Sequence, residues 1–404
     1  MDAQPGDVSE SVGDAEAFLA DLFDLAVPQP KYRALLAAGS VHCPSDAFVV
    51  AASRAAVEET LRDPERFSAE GLVNLGNVRP LIPLSIDPPQ HVKYRKILDP
   101  LFAPKHMEAL EDDITARANH FIDTFISRDG CHFTNEFAIP FPSAVFLGLM
   151  GLPWDELDTL LRLKDGIMRP GGDATDPDAR SRIQAETGQE IYAYFEAILD
   201  ERARQPRDDI LSQFLTFEID GEKLTREEIL DICFLFLIAG LDTVTDTLTC
   251  SFAFLAAHPE HRQQLVADPS AIPAAVEELL RWETPVPNVF RLATADTEIT
   301  NCPVKAGAFV AVNLGSANVD ETEFPDAFEV RFDRQSNRHL AFGGGVHRCL
   351  GSHLARRELR IAMREWHRRI PDYTLKPGIE LRYPVGLRSV ENLELVWSSA
   401  SESR

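Results

Sequence analysis

The amino-acid sequence predicts a mainly α-helical fold with small β-sheets. Long segments carry helical spacing or strong helix formers, β-type alternation is confined to short runs, and the two do not alternate as βαβ units would. The helical segments are 56–64, 105–126, 154–167, 179–204, 226–257, 259–266, 271–282 and 352–369. The β patterns fall at 47–51, 290–294, 297–300 and 308–312, with another near 381–397.

Taken in chain order, residues 1–16 are acidic and poor in aromatics, which predicts disorder, as does the tail 398–404. Residues 168–178, MRPGGDATDPD, break the helices on either side. They form either an ordinary surface loop or a mobile lid over a buried site. Thr225 and Glu228 form a capping-box pattern, and the helix that follows can run to Ala257, before His258-Pro259. At ~1.5 Å per residue it is roughly 48 Å long. From Ile232 to Leu241 it is apolar on every face, so it should be buried. Small Ala239 and Gly240 then precede Asp242, Thr243, Thr245, Asp246, Thr247 and Thr249. The hydroxyls can bond back to i−4 carbonyls while the acids find basic partners. Alternatively, the helix opens locally beside a cavity, with Asp242 and Thr243 handling protons.

The chain has 404 residues, 45% hydrophobic and 26% charged, an ordinary globular composition. Its net charge of −24 argues against nucleic-acid binding and against an anionic membrane surface. The cysteines Cys43, Cys131, Cys233, Cys250, Cys302 and Cys349 lie far apart, as in a protein of a reducing compartment. There is no secretory pattern at the N-terminus, and the longest apolar run is about half of the ~20 residues a bilayer requires. A soluble, cytoplasmic protein is expected.

Phe342-Gly-Gly-Gly-Val-His-Arg-Cys349-Leu-Gly351 is the most informative stretch. Successive glycines allow positive φ and close approach of the backbone to a bulky group. Cys349 stands just before a predicted helix with an apolar stripe of Leu354, Ala355, Leu359, Ala362, Met363 and Trp366. A cysteine at a helix N-terminus is favoured as thiolate, and thiolate is a strong ligand for haem iron. The residues alone leave other readings open: a nucleophilic cysteine with His347 as base, a zinc site of His347, Cys349 and His353, or a Gly-rich turn with a buried cysteine.

The sequence resembles the cytochrome P-450 family, and most closely its soluble bacterial branch that includes the camphor hydroxylase. The resemblance rests on Ala239-Gly240-Leu241-Asp242-Thr243 in the central helix, Glu278-Leu-Leu-Arg281, the run from Phe328 through Asp333 to His339, and Phe342 to Gly351, in the family's order. It covers roughly residues 20 to 397 and implies a single haem domain over 17–397, with the haem between the long central helix and the cysteine loop and helix. It further implies haem b with Cys349 as axial ligand and the amides of Leu350 and Gly351 near the sulfur. Phe342, Gly343, Ala239 and Gly240 would lie against the haem, and His91, Arg95, Arg291 and His347 would bind its propionates. Such pairs are chemically apt, since Arg and His⁺ form charge-assisted bonds to carboxylates. Glu278, Arg281 and Arg331 would form a buried structural network. Thr243 would hydrogen-bond bound dioxygen or its ordered water, and Asp242 would relay protons from solvent.

The implied activity is monooxygenation: one atom of O2 enters a C–H bond and the other leaves as water. The alternatives are a peroxide-driven peroxygenase and a non-catalytic haem sensor. The substrate should be small and apolar, such as a terpenoid, steroid or aromatic. The resemblance puts Val73, Leu75, Val78, Leu81, Ile82, Met168, Leu235, Ile238, Pro287, Val289, Val385 and Leu387 near the pocket, with Asn74, Arg79, Arg169 and Asn288 as polar anchors. No flavin or NAD(P)H domain is expected in these residues. Electrons would come from a separate [2Fe-2S]-type or similar ferredoxin and its reductase, docking on Arg95, Lys96, Lys105, Arg348, Arg356 and Arg357.

Overall fold

A computed structural model describes residue 20 and residues 22–171 and 176–398 of the chain. Segment 1–16, the middle of the 168–178 loop and nearly all of the 398–404 tail lie outside the described residues. Helices predominate, with small sheets, as the hydrophobic periodicity predicts. Among the described residues, no helix is long and apolar enough to cross a membrane.

The chain packs into two compact units. The first comprises the described residues up to Ser68, with Thr249–Cys349 and Pro377–Leu393. Its sheet has five strands in the order Val41–Ser45, Phe48–Ala51, Phe309–Asn313, Asn288–Ala293 and Phe67–Ser68. Phe48–Ala51 and Phe309–Asn313 pair in parallel, Phe48 opposite Phe309; the other pairs are antiparallel. One face carries a core that includes Val49, Val57, Leu61, Phe67, Val310, Val312 and Leu340. Helix Arg54–Arg62 covers part of it, with the Ser53 hydroxyl accepting from the Ala56 N–H as its N-cap. Helix Ile272–Glu283 buries both members of its Glu-x-x-Arg motif.

The second unit comprises Ala69–Leu248, Leu350–Lys376 and the described residues from Glu394. The long helices Glu111–Phe125, Pro140–Met150, Leu157–Met168, Pro177–Arg204 and Ser352–Arg369 build it. The stripe expected on the last of these is buried except at the half-buried Ala355, and Trp366 is wholly enclosed. Its indole meets Phe133 edge-on at 5.0 Å and Phe137 at 5.4 Å, while Phe137 stacks on Phe141. Such an aromatic cluster is a large apolar payload with geometric preference. A three-stranded sheet of Thr374–Leu375, Glu394–Val396 and Gly130–His132 flanks this unit.

The central helix spans Arg226–Ala257, as the capping box and His258-Pro259 predict. Among the helices unread in the sequence are Pro28–Ala38, Gln90–Leu98 and Pro140–Met150. Pro140–Met150 is nearly all apolar, so it shows no periodicity. The strand pattern near 381–397 reduces to Glu394–Val396, which exists because Gly130–His132 pairs with it from far away in sequence.

Candidate active site

The central helix begins as its capping box dictates. The Thr225 N–H donates to Glu228 Oε2 at 2.6 Å, and the Glu228 N–H donates to Thr225 Oγ1 at 3.2 Å. Residues 229–238 are buried without exception. Ala239 and Gly240 are then exposed, Thr243 is half-buried, and burial resumes on either side of it. Offsets of three and four residues place these positions on one helical face. Between Ile229 and Ala253 they are the one break in the helix's burial, an open window. A Cβ on Gly240 would stand 3.3 Å from the Phe146 ring, so the helix is tight there as well as open.

The helix runs through the window unbroken, in place of the local opening expected as one reading. Its hydroxyls bond back one turn: Thr243 Oγ1 to the Ala239 carbonyl at 3.3 Å, Thr247 Oγ1 to that of Thr243 at 2.7 Å, and Thr245 Oγ1 to that of Leu241 at 3.0 Å. The Thr243 bond is the long one, beyond the usual upper limit of about 3.0 Å for a hydroxyl donor, and so weak.

Asp242 is almost wholly buried and fully engaged. Lys164 Nζ donates to its Oδ1 at 2.9 Å, and Arg169 Nη1 donates to both carboxylate oxygens at 3.2 Å. Lys164 is as buried as Asp242, whereas the Arg169 side chain is 38% exposed. A continuous line of charge thus leads from the helix interior to solvent. Burial pulls the Arg169 guanidinium down, but the carboxylates of Asp242 and Asp246 outweigh it and hold its proton more tightly than usual.

The cysteine loop is built by its glycines. The Gly343 N–H donates to the Leu340 carbonyl at 2.8 Å, and the Cys349 N–H to the Phe342 carbonyl at 2.9 Å. Gly343 and Gly345 are left-handed. A Cβ on Gly345 would stand 1.9 Å from the Leu61 carbonyl oxygen, so only glycine fits. The Cys349 residue is exposed. In sequence, helix Ser352–Arg369 begins three residues later. No described atom lies within 4 Å of a Cβ built on Gly343 or Gly351.

His91 and Arg95 lie one turn apart on helix Gln90–Leu98, where His91 is buried and Arg95 pairs with Asp99 at 2.7 Å. Burial, then the Arg95 charge, lowers the His91 pKa. Arg291 is buried in strand Asn288–Ala293, and its Nη1 donates to the Phe290 carbonyl. His347 ends the short 3₁₀ turn Gly345–His347. Among the expected pocket residues, Leu81, Leu235, Ile238 and Pro287 are buried, and Val73, Met168, Val289 and Leu387 are half-buried. Val78 and Val385 are unusually exposed for valines, at 62% and 80%. Asn74 is exposed. Arg79 is drawn to Asp231 at 2.9 Å, and Asn288 accepts from Asn313 Nδ2 at 2.9 Å. In the expected docking set, Arg357 pairs with Glu111 and is not an uncommitted charge.

The Glu278 network needs a correction. Arg281 donates Nε and Nη2 to Glu278 at 2.8 and 2.7 Å, and its remaining donors reach the carbonyls of Asn318, Ala327 and Glu329. The third member is Arg334, not Arg331. Arg334 Nε lies 2.9 and 3.0 Å from the two Glu278 oxygens, and Asn337 adds a further donor at 3.0 Å. Only the backbone N–H of Arg331 reaches Glu278; its guanidinium is drawn outward to Asp326 and Asp333.

The Cytochrome P450 family model matches residues 176–366. A probable cytochrome P450 127A1 from Sinorhizobium fredii is 35% identical over 343 residues, covering 84% of this chain and 80% of that protein. The chain is a cytochrome P450. A steroid C26-monooxygenase of Mycolicibacterium smegmatis is 33% identical over 85% of this P450 and 86% of its own length. Among solved structures, a myxobacterial P450 in complex with myristic acid shares 32% identity and superposes with a TM-score of 0.83, covering 94% of this chain and 99% of that one. A mutant of P450 EryK in complex with erythromycin B gives the same TM-score at 29% identity, covering 93% and 97%.

The P450 is therefore a monooxygenase of this family, and its fold implies a haem with a cysteine thiolate ligand. The residues fit that group: the exposed Cys349 lies in sequence between Gly343 and Gly351, both with open space where a Cβ would stand, and the central helix opens one small-residue face. Sequence reasoning missed Lys164, Arg334 and Asn337. A signal for Lys164 was present, since it shares a helical stripe with Leu160 and Ile167, where a lysine needs a buried partner. Arg334 and Asn337 lie in irregular chain, where periodicity says nothing.

Proposed function

We propose that this P450 inserts one atom of O2 into a C–H bond of a small apolar substrate, a terpenoid, steroid or aromatic, with electrons from a separate ferredoxin. Residues 17–397 act as one haem domain, in which Cys349 Sγ would hold the iron as thiolate. His91, Arg95, Arg291 and His347 bind the propionates. Relatives named for steroids and lipids support an apolar substrate: they include steroid C26-monooxygenases and a methyl-branched lipid omega-hydroxylase of Mycobacterium bovis. The expected cytoplasmic location fits the reductant supply such chemistry draws on.

The observation that carries the reading is the pairing of a buried, doubly held acid with a half-buried alcohol at adjacent positions of the central helix. When bound, the haem supplies oxygen activation and accepts the two electrons. The chain's own residues must then deliver protons without admitting bulk water. Arg169, partly exposed, connects solvent to Asp242. The Asp242 carboxylate holds a proton in transit whenever Lys164 or Arg169 lets go of one oxygen. Thr243 Oγ1, on a 3.3 Å bond to the Ala239 carbonyl, is free to rotate toward the open window and donate there. Ala239 and Gly240, both small, leave that window unobstructed.

The test is Thr243→Ala. Reductant consumption should continue while product falls by about tenfold or more and hydrogen peroxide accumulates, since a positioned proton donor contributes about 10²–10⁴ in rate. Unchanged product per reductant consumed would end the assignment of Thr243. Substrate class is tested separately, by the low- to high-spin absorbance shift of the ferric protein against terpenoids, steroids, fatty acids and small aromatics.

A further inference from the structure

Outside the active site, two thiols meet that were widely separated in the sequence. Cys43 Sγ lies 3.4 Å from Cys302 Sγ, although the residues are 259 positions apart. Cys43 is exposed, on the edge strand Val41–Ser45, and Cys302 is half-exposed, on the short strand Cys302–Val304. Both strands belong to the same compact unit.

The two sides differ in rigidity. Cys302 directly follows a tight hairpin turn: Thr300 and Asn301 are both left-handed, and Ile299 pairs with Cys302 across it. The Thr300 N–H donates to Glu59 at 2.9 Å, which anchors the turn to helix Arg54–Arg62. Cys43 stands where the ladder slips, because the register with Phe48–Ala51 shifts between His42 and Ser45. A bulge re-aims its side chain and leaves local slack. A disulfide needs the sulfurs at about 2.05 Å, so they must close by roughly 1.4 Å. The bulged strand can supply that movement toward a fixed partner.

We propose that Cys43 and Cys302 form an oxidation site that consumes one peroxide and closes into a disulfide. The exposed Cys43 sulfur attacks one oxygen of hydrogen peroxide; the O–O bond breaks and the leaving hydroxide departs as water with the thiol proton. Cys302 sulfur then attacks the resulting sulfenic acid, forming the S–S bond and releasing the second water. The thiols are oxidised by two electrons, the peroxide is reduced, and the sum is two thiols and one peroxide giving one disulfide and two waters. A monooxygenase generates this oxidant whenever reduced oxygen escapes before reaching substrate. Burial, the neighbouring thiol and the Asp46 charge push the Cys43 thiol up to about 11. The disulfide would pin the sheet's edge strand to the hairpin.

The experiment treats the purified full-length holoenzyme with hydrogen peroxide, blocks remaining thiols and maps peptides without reduction. The expected result is a Cys43–Cys302 cross-linked peptide within one chain, a loss of two titratable thiols, and recovery of both with dithiothreitol. Cys43→Ser and Cys302→Ser should each abolish the cross-link while leaving initial turnover unchanged, and Cys43→Ser controls for any local misfolding in the other. Recovery of the two residues as separate thiols, as sulfinic acids, or only in cross-links between chains would overturn the proposal. Because peroxide is added, failure here would leave the monooxygenase reading untouched.

Discussion

Removing the Lys164 ammonium tests whether Asp242 is held as the geometry indicates. At 2.9 Å and an effective dielectric near 20, the pair attracts by roughly 6 kcal/mol. Desolvating two ions that are each about 1% exposed offsets most of this, so the intact pair is a small net term. Breaking it from one side is different, because the remaining charge stays buried; such losses run about 3–5 kcal/mol. Arg169 still reaches both Asp242 oxygens, so Lys164→Met should fall below that range, at about 2–3 kcal/mol. Asp242→Asn leaves Lys164 with only Asp165, at 3.1 Å, and should cost about 3–4 kcal/mol. The double variant should recover about 2–3 kcal/mol of the summed loss, since both buried charges leave together. Urea denaturation of the four holoproteins at pH 7 measures the cycle. Additive losses, within about 0.5 kcal/mol, would refute the pairing.

Other predictions concern the cysteine loop's surroundings and its supporting helix. Arg334→Met should destabilise by about 2–4 kcal/mol, because Glu278 is 1% exposed and loses a charge partner; Arg331→Ala should cost under about 0.5 kcal/mol, its side chain being outside the network. Comparable losses for the two in thermal melts would reverse the assignment. Gly345→Ala should abolish haem retention in the purified protein, since its Cβ meets the Leu61 carbonyl and its backbone is left-handed; normal haem content would show that the loop tolerates displacement. Glu358 is fully buried, and desolvation raises its pKa well above 4.5. The folded state therefore keeps a proton that the unfolded chain releases above about pH 4.5, so stability is lost as pH rises from there toward the folded value. Glu358→Gln should match the parent at pH 4 and gain on it by up to about 1.4 kcal/mol per pH unit above that; urea curves at pH 4, 6 and 8 giving a constant difference would contradict the burial argument.

Which elements could be read in the sequence follows from where their information lies. The central helix and the cysteine helix carry their own boundaries: a capping box and His-Pro in one, an amphipathic stripe in the other. Both therefore match the structure residue for residue. Strands Phe67–Ser68, Gly130–His132 and Thr374–Leu375 carry too few residues for any period, and partners remote in sequence create them. Helix Pro140–Met150 is hidden for the opposite reason, being buried on so many sides that no polar face marks its period.

The same division runs through the site. Asp242 and Thr243 stand out because acids and hydroxyls interrupt an apolar helix, and the interruption is local in sequence. What holds Asp242 is not local, for Lys164 is 78 positions away and Arg169 is 73. The Glu278 network divides likewise: its helical pair is visible at i,i+3 spacing, whereas the choice between Arg331 and Arg334 depends on which side chain the loop turns inward. A loop that donates one arginine's backbone and another's guanidinium to the same carboxylate cannot be read from spacing, since both residues fit the charge requirement. Geometry discriminates them, through the carbonyls of Pro325, Asp326 and Glu329, which take the other Arg334 donors and leave Arg331 to the outer acids. The reacting groups are thus marked by their own chemistry, while the groups that position them become visible only after folding has chosen among equivalent charges.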